Sequence, residues 1–272
     1  MKVIDILLNL IQKKRGAMER IIGANLKIYF KSKKEFKEYA EALIKEVETI
    51  KSDSIKIYVL PDFLNIPQAS EIFKDTKIYL GAQDLFWEDS GAYTGAISPL
   101  LLKDFNCNYV FIGHSERKKY FNEDDKTLNK KMFACYRAGL IPIVLVGETE
   151  EERAYGLTDI TIEKQLRVIL HDLPSNFLKT IVIMYEPVWA VGKADAATSD
   201  IIEKSHKYIR ETLSKIYDKT LGETIKVIYG GSVNLANSAE VLKINGVDGI
   251  GITRSSLDAH EFAQIIRNAE KI

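Results

Sequence analysis

The sequence has few of the features that mark specialised protein classes. Its two cysteines, Cys107 and Cys135, form neither a disulfide framework nor a zinc pattern, which predicts a reducing compartment. The 38 basic and 38 acidic residues balance, so net charge gives no argument for nucleic acid or an anionic membrane as a partner. No apolar run approaches the roughly 18 residues of a membrane span. We therefore expect a cytoplasmic globular protein that binds neither nucleic acid nor membrane.

The first twenty residues, MKVIDILLNLIQKKRGAMER, differ from the rest of the chain. Asp5 and Asn9 interrupt their apolar run and no small-residue cleavage site follows, which argues against a secretory signal. The apolar spacing predicts a short amphipathic helix, with partner docking or assembly as the alternative role. We assign no chemistry to residues 1–20 and expect one domain over residues 21–272.

Eight short β-branched runs recur along this domain. The gaps between them are long enough for crossover helices, and most carry helical periodicity. Nearly continuous apolar runs are typical of parallel strands that helices cover on both faces. The pattern predicts an α/β fold, a single-domain (β/α)8 barrel rather than an open doubly wound sheet. The runs start at Ile21, Ile55, Thr76, Asn108, Ile141, Thr180, Ile225 and Val247.

Polar residues at the carboxyl ends of the runs are the candidate site, because active residues of such barrels lie there. Asn25 and Lys27 end the first run two residues apart, so we expect them to share one side of the strand, and an inward-pointing ammonium is costly unless an anion meets it. A solvated lysine or a structural ion pair is the alternative. His114 follows the fourth run and precedes a potential helix N-terminus, which favours the neutral imidazole. A histidine satisfied in the core, or simply exposed, is the alternative.

Glu186 ends the sixth run beside a flap of small residues. Partial desolvation there would raise its proton affinity and make it a usable base, whereas a solvated strand-end acid is the alternative. Gly230, Gly231 and Gly251 near the last two strand ends would let backbone N–H groups approach an anion, although either loop alone is more often a turn. The other three histidines fall in helical or connecting segments, so we expect no metal and no other cofactor.

Four motifs carry a family resemblance that covers all but the first twenty residues. GAYTGAISPLLLKDFNCNYVFIGHSER, PIVLVGETEEER, YEPVWAVG and YGGSV are similar, in order and spacing, to motifs of the triosephosphate isomerase family. The resemblance implies an enzyme of glycolysis and gluconeogenesis that interconverts dihydroxyacetone phosphate and glyceraldehyde 3-phosphate. It also implies a homodimer, formed through the loop that contains Thr94, and a sugar phosphate as the small-molecule substrate.

The resemblance further implies a role for each candidate residue. Glu186 would be the base that moves a proton between adjacent carbons, and His114 the neutral electrophile that polarises the carbonyl. Lys27 would supply positive charge, and Asn25 would help to position it. Asn25 and Lys27 would bind the substrate, and its phosphate would be held by Gly192, Ser232 and the backbone around Thr253 and Arg254. The lid that excludes water would comprise Pro187, Val188, Trp189, Ala190, Val191, Gly192, Lys193, Ala194 and Asp195, with Tyr229 and Ser232 holding it shut.

Several positions depart from the family's usual pattern. Thr253 and Arg254 stand where two glycines are usual, and a β-branched residue tolerates positive φ poorly. The lid tip, residues 192–195, has one glycine where two are usual, which predicts a stiffer or differently closing lid. Ala96 replaces a glutamate that pairs with an arginine of the partner subunit, here Arg117, so we expect a weaker dimer contact.

These departures leave other functions open. One is an isomerase of a longer ketose phosphate, such as a tetrulose phosphate. Another is a non-catalytic paralogue that binds sugar phosphates. A Schiff-base aldolase on the same fold would need a desolvated central lysine, for which Lys27 is the one strand-end candidate. Glu186 and His114 fit proton transfer better, so triose phosphate isomerisation is our first prediction.

Overall fold

The computed structural model describes residues 19–193 and 196–272. Its eight parallel strands form a closed barrel, in which each strand pairs with the next and the last pairs with the first. The predicted (β/α)8 barrel is thereby confirmed, and each strand overlaps one of the eight predicted runs. The strands are β1 Arg20–Asn25, β2 Ile55–Leu60, β3 Ile78–Ala82, β4 Tyr109–Ile112, β5 Ile141–Val146, β6 Val182–Tyr185, β7 Lys226–Tyr229 and β8 Gly249–Ile252.

Helices surround the barrel, and the longer ones bury an apolar face against the strands. In the described part of the chain, no helix is long and apolar enough to cross a membrane. Single turns of 3-10 helix lie at Val188–Ala190 and Arg254–Ser256. The α-helices are α1 Lys33–Val47, α2 Ile66–Ile72, α3 Pro99–Asp104, α4 Ser115–Phe121, α5 Asp125–Ala138, α6 Glu150–Ala154, α7 Thr158–Ile169, α8 Ser175–Leu178, α9 Ser199–Ile216, α10 Lys219–Thr224, α11 Ser238–Lys243 and α12 Ala259–Glu270.

The interior of the barrel is packed with large side chains and forms the floor beneath the carboxyl ends of the strands. Alternate residues of a strand point inward, so pairs such as Tyr109 and Phe111 belong to the same buried cluster. The ring of Tyr58 lies 5.4 Å from that of Tyr109 and fills the space beside Gly23. A Cβ at Gly23 would come within 1.7 Å of the Tyr58 ring, so this packing requires glycine. The strand ends therefore stand on a rigid base.

The start of the barrel is anchored by Arg20, the first residue of β1. Its Nη1 donates to the carbonyl oxygens of Leu242 at 2.8 Å and Val247 at 2.9 Å. The strand thus begins one residue before the start at residue 21 that the sequence suggests. The helix predicted within residues 1–20 lies outside the described residues, except for residues 19 and 20, and stays a prediction.

Candidate active site

Glu186 follows β6 directly and holds a nearly buried carboxylate at the carboxyl end of the barrel. The residue is 4% exposed. Its Oε2 accepts a hydrogen bond of 2.9 Å from the backbone N–H of Ser115, and its Oε1 lies 3.2 Å from Nε2 of His114. The backbone of Glu186 packs on Gly147, where an added Cβ would come within 2.0 Å of the Glu186 carbonyl oxygen. The predicted base is therefore fixed by its backbone and is in contact with the predicted electrophile.

His114 caps the N-terminus of α4, as the sequence predicts. Its Nδ1 accepts a hydrogen bond of 3.1 Å from the backbone N–H of Glu116. A ring nitrogen that accepts carries no proton, so the hydrogen-bond pattern assigns the proton of the neutral ring to Nε2. Nε2 is the nitrogen that faces Glu186. The local fold of the helix thus selects the tautomer that can donate a hydrogen bond into the site.

Lys27 lies beyond β1, which ends at Asn25, so our expectation that both residues share one face of a strand is wrong for Lys27. Its backbone is in the left-handed region at φ 46°, a conformation stabilised by two hydrogen bonds. Asn25 Oδ1 accepts from the Lys27 N–H at 3.0 Å, and Gln83 Nε2 donates to the Lys27 carbonyl at 2.9 Å. The ammonium lies 2.6 Å from Oε1 of Glu116, so the ion pair that we considered as an alternative is present at the edge of the site.

All the predicted catalytic residues and the four predicted phosphate-binding residues line one cavity of about 490 Å³. Strain at Thr253 was our expectation, and it is wrong because this residue has φ −122°. Positive φ values occur instead at Ser232, with 48°, and at Gly192, with 76°. Ser232 Oγ lies 2.7 Å from the carbonyl oxygen of Ala190, and the guanidinium of Arg254 donates to the carbonyl oxygen of Gly192. These two contacts therefore link the loops that follow β7 and β8 to the flap that follows β6.

The flap after Glu186 is anchored at both ends. On its first side, Trp189 Nε1 donates to Oε1 of Glu148 at 2.8 Å, and the guanidinium of Arg153 lies 3.9 Å from the centre of the indole. On its far side, the backbone N–H of Ala197 donates to the hydroxyl of Tyr229 at 2.9 Å. Two predicted lid residues, Ala194 and Asp195, lie outside the described residues.

Three residues that we did not single out as functional contact the predicted site. Ser115 binds the Glu186 carboxylate, Glu116 binds Lys27 and His114, and Glu148 accepts from the lid tryptophan. Ser115 and Glu116 are the two residues after His114 in the motif GHSER, and Glu148 follows the fifth run in the motif VGETEEER. Their position after strand ends could have identified them as candidate site residues from the sequence alone. We call Lys27, Glu116, His114 and Glu186 the active-site cluster.

A second group of four charges, the buried cluster, lies beside the first and comprises Asp84, Arg117, Glu123 and Lys131. Lys131 is 2% exposed, and its Nζ lies 2.6 Å from both Asp84 and Glu123. Arg117 contacts the same two carboxylates at 2.9 and 2.7 Å. Burial raises the pKa of Asp84 to about 6. Burial acts on Glu123 in the same direction, but hydrogen bonds from Arg117 and Lys131 outweigh it and lower its pKa.

The fold and the site together define a class: a barrel enzyme with a carboxylate and a neutral imidazole in contact, in a cavity lined by cations. Proton transfer on an anionic substrate is the chemistry that this arrangement suits. Within residues 19–193 and 196–272, no group of three or more His, Cys, Asp or Glu side chains is arranged to hold a metal ion. The expectation of no cofactor stays a prediction.

Comparison with known proteins narrows the class to a family. The sequence profile of the family described as Triosephosphate isomerase matches residues 20–269. A protein named Triosephosphate isomerase from Dictyoglomus thermophilum is 43% identical, over 92% of this chain and 99% of its own. Proteins of the same name from Moorella thermoacetica, 44% identical over 78% and 84%, and Clostridium tetani, 36% identical over 92% and 97%, are also similar. The chain belongs to the triosephosphate isomerase family, which confirms the resemblance and makes the protein an isomerase.

Proposed function

We propose that this chain interconverts dihydroxyacetone phosphate and glyceraldehyde 3-phosphate through an enediolate, with Glu186 as the base and His114 as the electrophile. The observation that carries the proposal is the 3.2 Å contact between the carboxylate of Glu186 and Nε2 of His114, whose Nδ1 is occupied by a backbone N–H. This division of roles is the one already established for the family. Nothing in the comparisons favours a longer ketose phosphate or a non-catalytic binding protein.

The proton transfer can be written with these residues. The carboxylate of Glu186 removes a proton from the carbon beside the substrate carbonyl, and the released electron pair forms the carbon–carbon double bond of the enediolate. The carbonyl oxygen then carries the negative charge, towards which Nε2–H of His114 and the ammonium of Lys27 are directed. Protonated Glu186 returns the proton to the neighbouring carbon. The hydroxyl proton of the first carbon passes through Nε2 of His114 to the oxygen of the second carbon, so that the new carbonyl forms on the first carbon. Because His114 is 7% exposed and Glu186 4%, these electrostatic interactions act with little screening by water.

Phosphate binding would take place at the other end of the cavity, on Gly192, Ser232, Thr253 and Arg254. Contacts remote from the reacting carbons can supply binding energy that holds the lid over the site. A closed lid excludes water and lets the enediolate take up a proton before it loses phosphate. The direct link between Ser232 and the lid carbonyl of Ala190 supports this coupling of phosphate binding to the lid.

The test compares isomerisation of dihydroxyacetone phosphate with that of a four-carbon ketose phosphate. Glu186→Asp retracts the base by one methylene, and we expect it to lower kcat for the triose by about 100-fold or more. Glu150→Asp, at an exposed position of α6, is the matched control and should leave kcat unchanged. Preference of the wild type for the four-carbon substrate would reassign specificity. Absence of turnover with either substrate would overturn the proposal.

We also propose that two copies of the chain pair through the loop that contains Thr94, in line with a family that is generally dimeric. Residues 91–96 of this loop are exposed. Beside the active site lies a cavity of about 1220 Å³ with apolar lining residues that include Ile28, Tyr29 and Phe121. Ile28 is 86% exposed and Phe121 64%, which suits a surface that a second copy covers. The same cavity reaches His114, so its occupant would border the reacting groups.

Sedimentation velocity tests this pairing. Thr94→Arg places a bulky cation on the inserting loop, and we expect the dimer to dissociate into monomers with lower activity. Thr220→Arg, on the exposed face of α10, is the control and should stay dimeric. A dimer that survives Thr94→Arg unchanged would show that another surface is used.

A further inference from the structure

Arg254 introduces a guanidinium at the end of the cavity opposite the reacting groups. It begins the 3-10 turn after β8 and is one of the residues that line the cavity. Its Nη2 donates a hydrogen bond to the backbone carbonyl of Gly192, in the flap that follows Glu186. The side chain therefore spans from a strand end to the lid.

The backbone on both sides of this contact is held in place. Ser256 Oγ donates to the carbonyl of Thr253 at 2.7 Å, which fixes the turn that carries Arg254. Gly192 has φ 76°, and a Cβ added there would lie 3.7 Å from Nη2 of Arg254. That distance is an ordinary van der Waals contact, so it is the positive φ rather than a lack of space that favours glycine at this position. The geometry is set by the two loops rather than by the flexible side chain alone.

The hydrogen bond to the carbonyl of Gly192 uses only some of the N–H donors of the Arg254 guanidinium. A guanidinium has five N–H donors and a full positive charge, whereas the carbonyl of Gly192 accepts from one nitrogen and carries no net charge. Among residues 19–193 and 196–272, no carboxylate forms an ion pair with Arg254. Donors and charge are therefore left for an anion in the cavity that Arg254 lines.

The nearby hydroxyl of Ser232 differs in this respect. Its Oγ lies 2.7 Å from the carbonyl of Ala190 and 3.0 Å from that of Lys193. A hydroxyl has a single proton, so both carbonyls compete for it and the hydroxyl has none left for a phosphoryl oxygen, which Ser232 would bind through its backbone N–H. Of these two side chains, only that of Arg254 can bind the lid and donate to an anion at the same time.

We propose that Arg254 bridges the lid and the substrate, donating to the carbonyl of Gly192 and to the phosphoryl group at once, and so makes lid closure depend on a bound dianion. The proposal rests on the function proposed above and adds to it the residue that couples phosphate binding to the lid. Replacing Arg254 should therefore lower turnover more when a phosphoryl group or a free dianion is present than when neither is present.

Glyceraldehyde, which lacks the phosphoryl group, separates these two effects. Its isomerisation is measured with and without inorganic phosphite, a dianion small enough to share the cavity with it. In the wild type we expect phosphite to accelerate turnover, because it supplies the anion that the lid requires. In Arg254→Gln we expect that acceleration, the ratio of the rates with and without phosphite, to fall by at least tenfold, and kcat/KM for glyceraldehyde 3-phosphate to fall by at least tenfold.

Two further measurements complete the test. Arg167→Gln, an exposed arginine of α7, is the matched control and should behave as wild type. Added guanidinium ion should restore part of the phosphite response to Arg254→Ala, which a purely structural role would not allow. Equal losses with and without phosphite, or no loss at all, would overturn the bridging role. Wild type inactive on triose phosphates would instead overturn the proposed function, which keeps the two failures distinct.

Discussion

Two clusters of four ionisable side chains meet at helix α4, and they differ in how completely their charges are paired. Glu116 belongs to the active-site cluster and the next residue, Arg117, to the buried cluster. In the buried cluster, both cations contact both carboxylates at 2.6–2.9 Å. In the active-site cluster, the ammonium of Lys27 contacts one carboxylate oxygen, at 2.6 Å. The charges of the buried cluster pair with one another, whereas the ammonium of Lys27 in the active-site cluster keeps N–H donors for a substrate.

The difference separates a structural role from a catalytic one. A lysine ammonium has three donors, so Lys27 retains donors that a developing oxyanion can use. Lys131 is buried between two carboxylates, where moving either charge would be costly. Charge alone therefore does not identify an active site in this fold. A charged side chain that lines a cavity and keeps unpaired donors is the better indicator of the site. Three predictions test this distinction.

The largest expected effect comes from breaking the buried cluster. Lys131→Met removes a buried cation and leaves Asp84 and Glu123 sharing Arg117 alone. We expect the free energy of unfolding to fall by about 3–5 kcal/mol, as measured by urea denaturation. Activity per folded molecule should be retained at low temperature. Lys126→Met, an exposed position on the same helix, is the control and should change stability by less than about 0.5 kcal/mol. A stability loss as small as the control's would assign Lys131 no structural role.

The next effect comes from the active-site cluster. Glu116→Gln removes the charged partner of Lys27, and we expect kcat/KM for triose phosphate to fall by about tenfold or more because the ammonium is no longer held in position. The side chain of Glu116 is 41% exposed, so stability should change by no more than about 1 kcal/mol. Glu150→Gln serves as the control. Lost stability with unchanged kcat/KM would place Glu116 in the structural group and remove the contrast between the clusters.

The sequence predicted one cluster much better than the other, for physical reasons. Glu186 and His114 follow apolar runs directly, so the barrel brings them together once the strands are recognised. Asp84 and Lys131 are 47 residues apart, and their contact exists only after the loop beyond β3 packs on α5. A local signal was nevertheless present, because Lys131 shares a helical face with the buried Leu128 and Cys135. A lysine on a buried face indicates a buried ion pair.

Lys27 shows the opposite case, that of a predicted site residue that lines the cavity but does not lie on the strand where the sequence placed it. Strand alternation put it on the inner face of β1, but the strand ends at Asn25. The left-handed turn that directs Lys27 into the cavity depends on the Asn25 side chain and on Gln83, which comes from the end of β3. A periodicity of two residues contains no information about that turn. The same applies to Thr253, whose negative φ follows from the 3-10 turn after β8.

The smallest expected effect is a dependence of stability on pH that distinguishes the two clusters. Since burial raises the pKa of Asp84 to about 6, from an ordinary value of 3.8, the folded state binds this proton more tightly than the unfolded chain does. Its contribution therefore stabilises the fold below pH 4 and is lost as the pH rises to about 6.

Asp84→Asn cannot titrate, so the variant should gain stability relative to wild type between pH 4 and pH 7. Glu123 is present in both proteins, so its lowered pKa largely cancels in the comparison, and we expect a gain on the order of 1 kcal/mol from Asp84. Urea denaturation at successive pH values measures it, with Asp53→Asn, which is exposed, as the flat control. A difference between Asp84→Asn and wild type that stays constant or falls as the pH rises would show that Arg117 and Lys131 keep Asp84 ionised, and that the buried cluster holds its charges throughout this range.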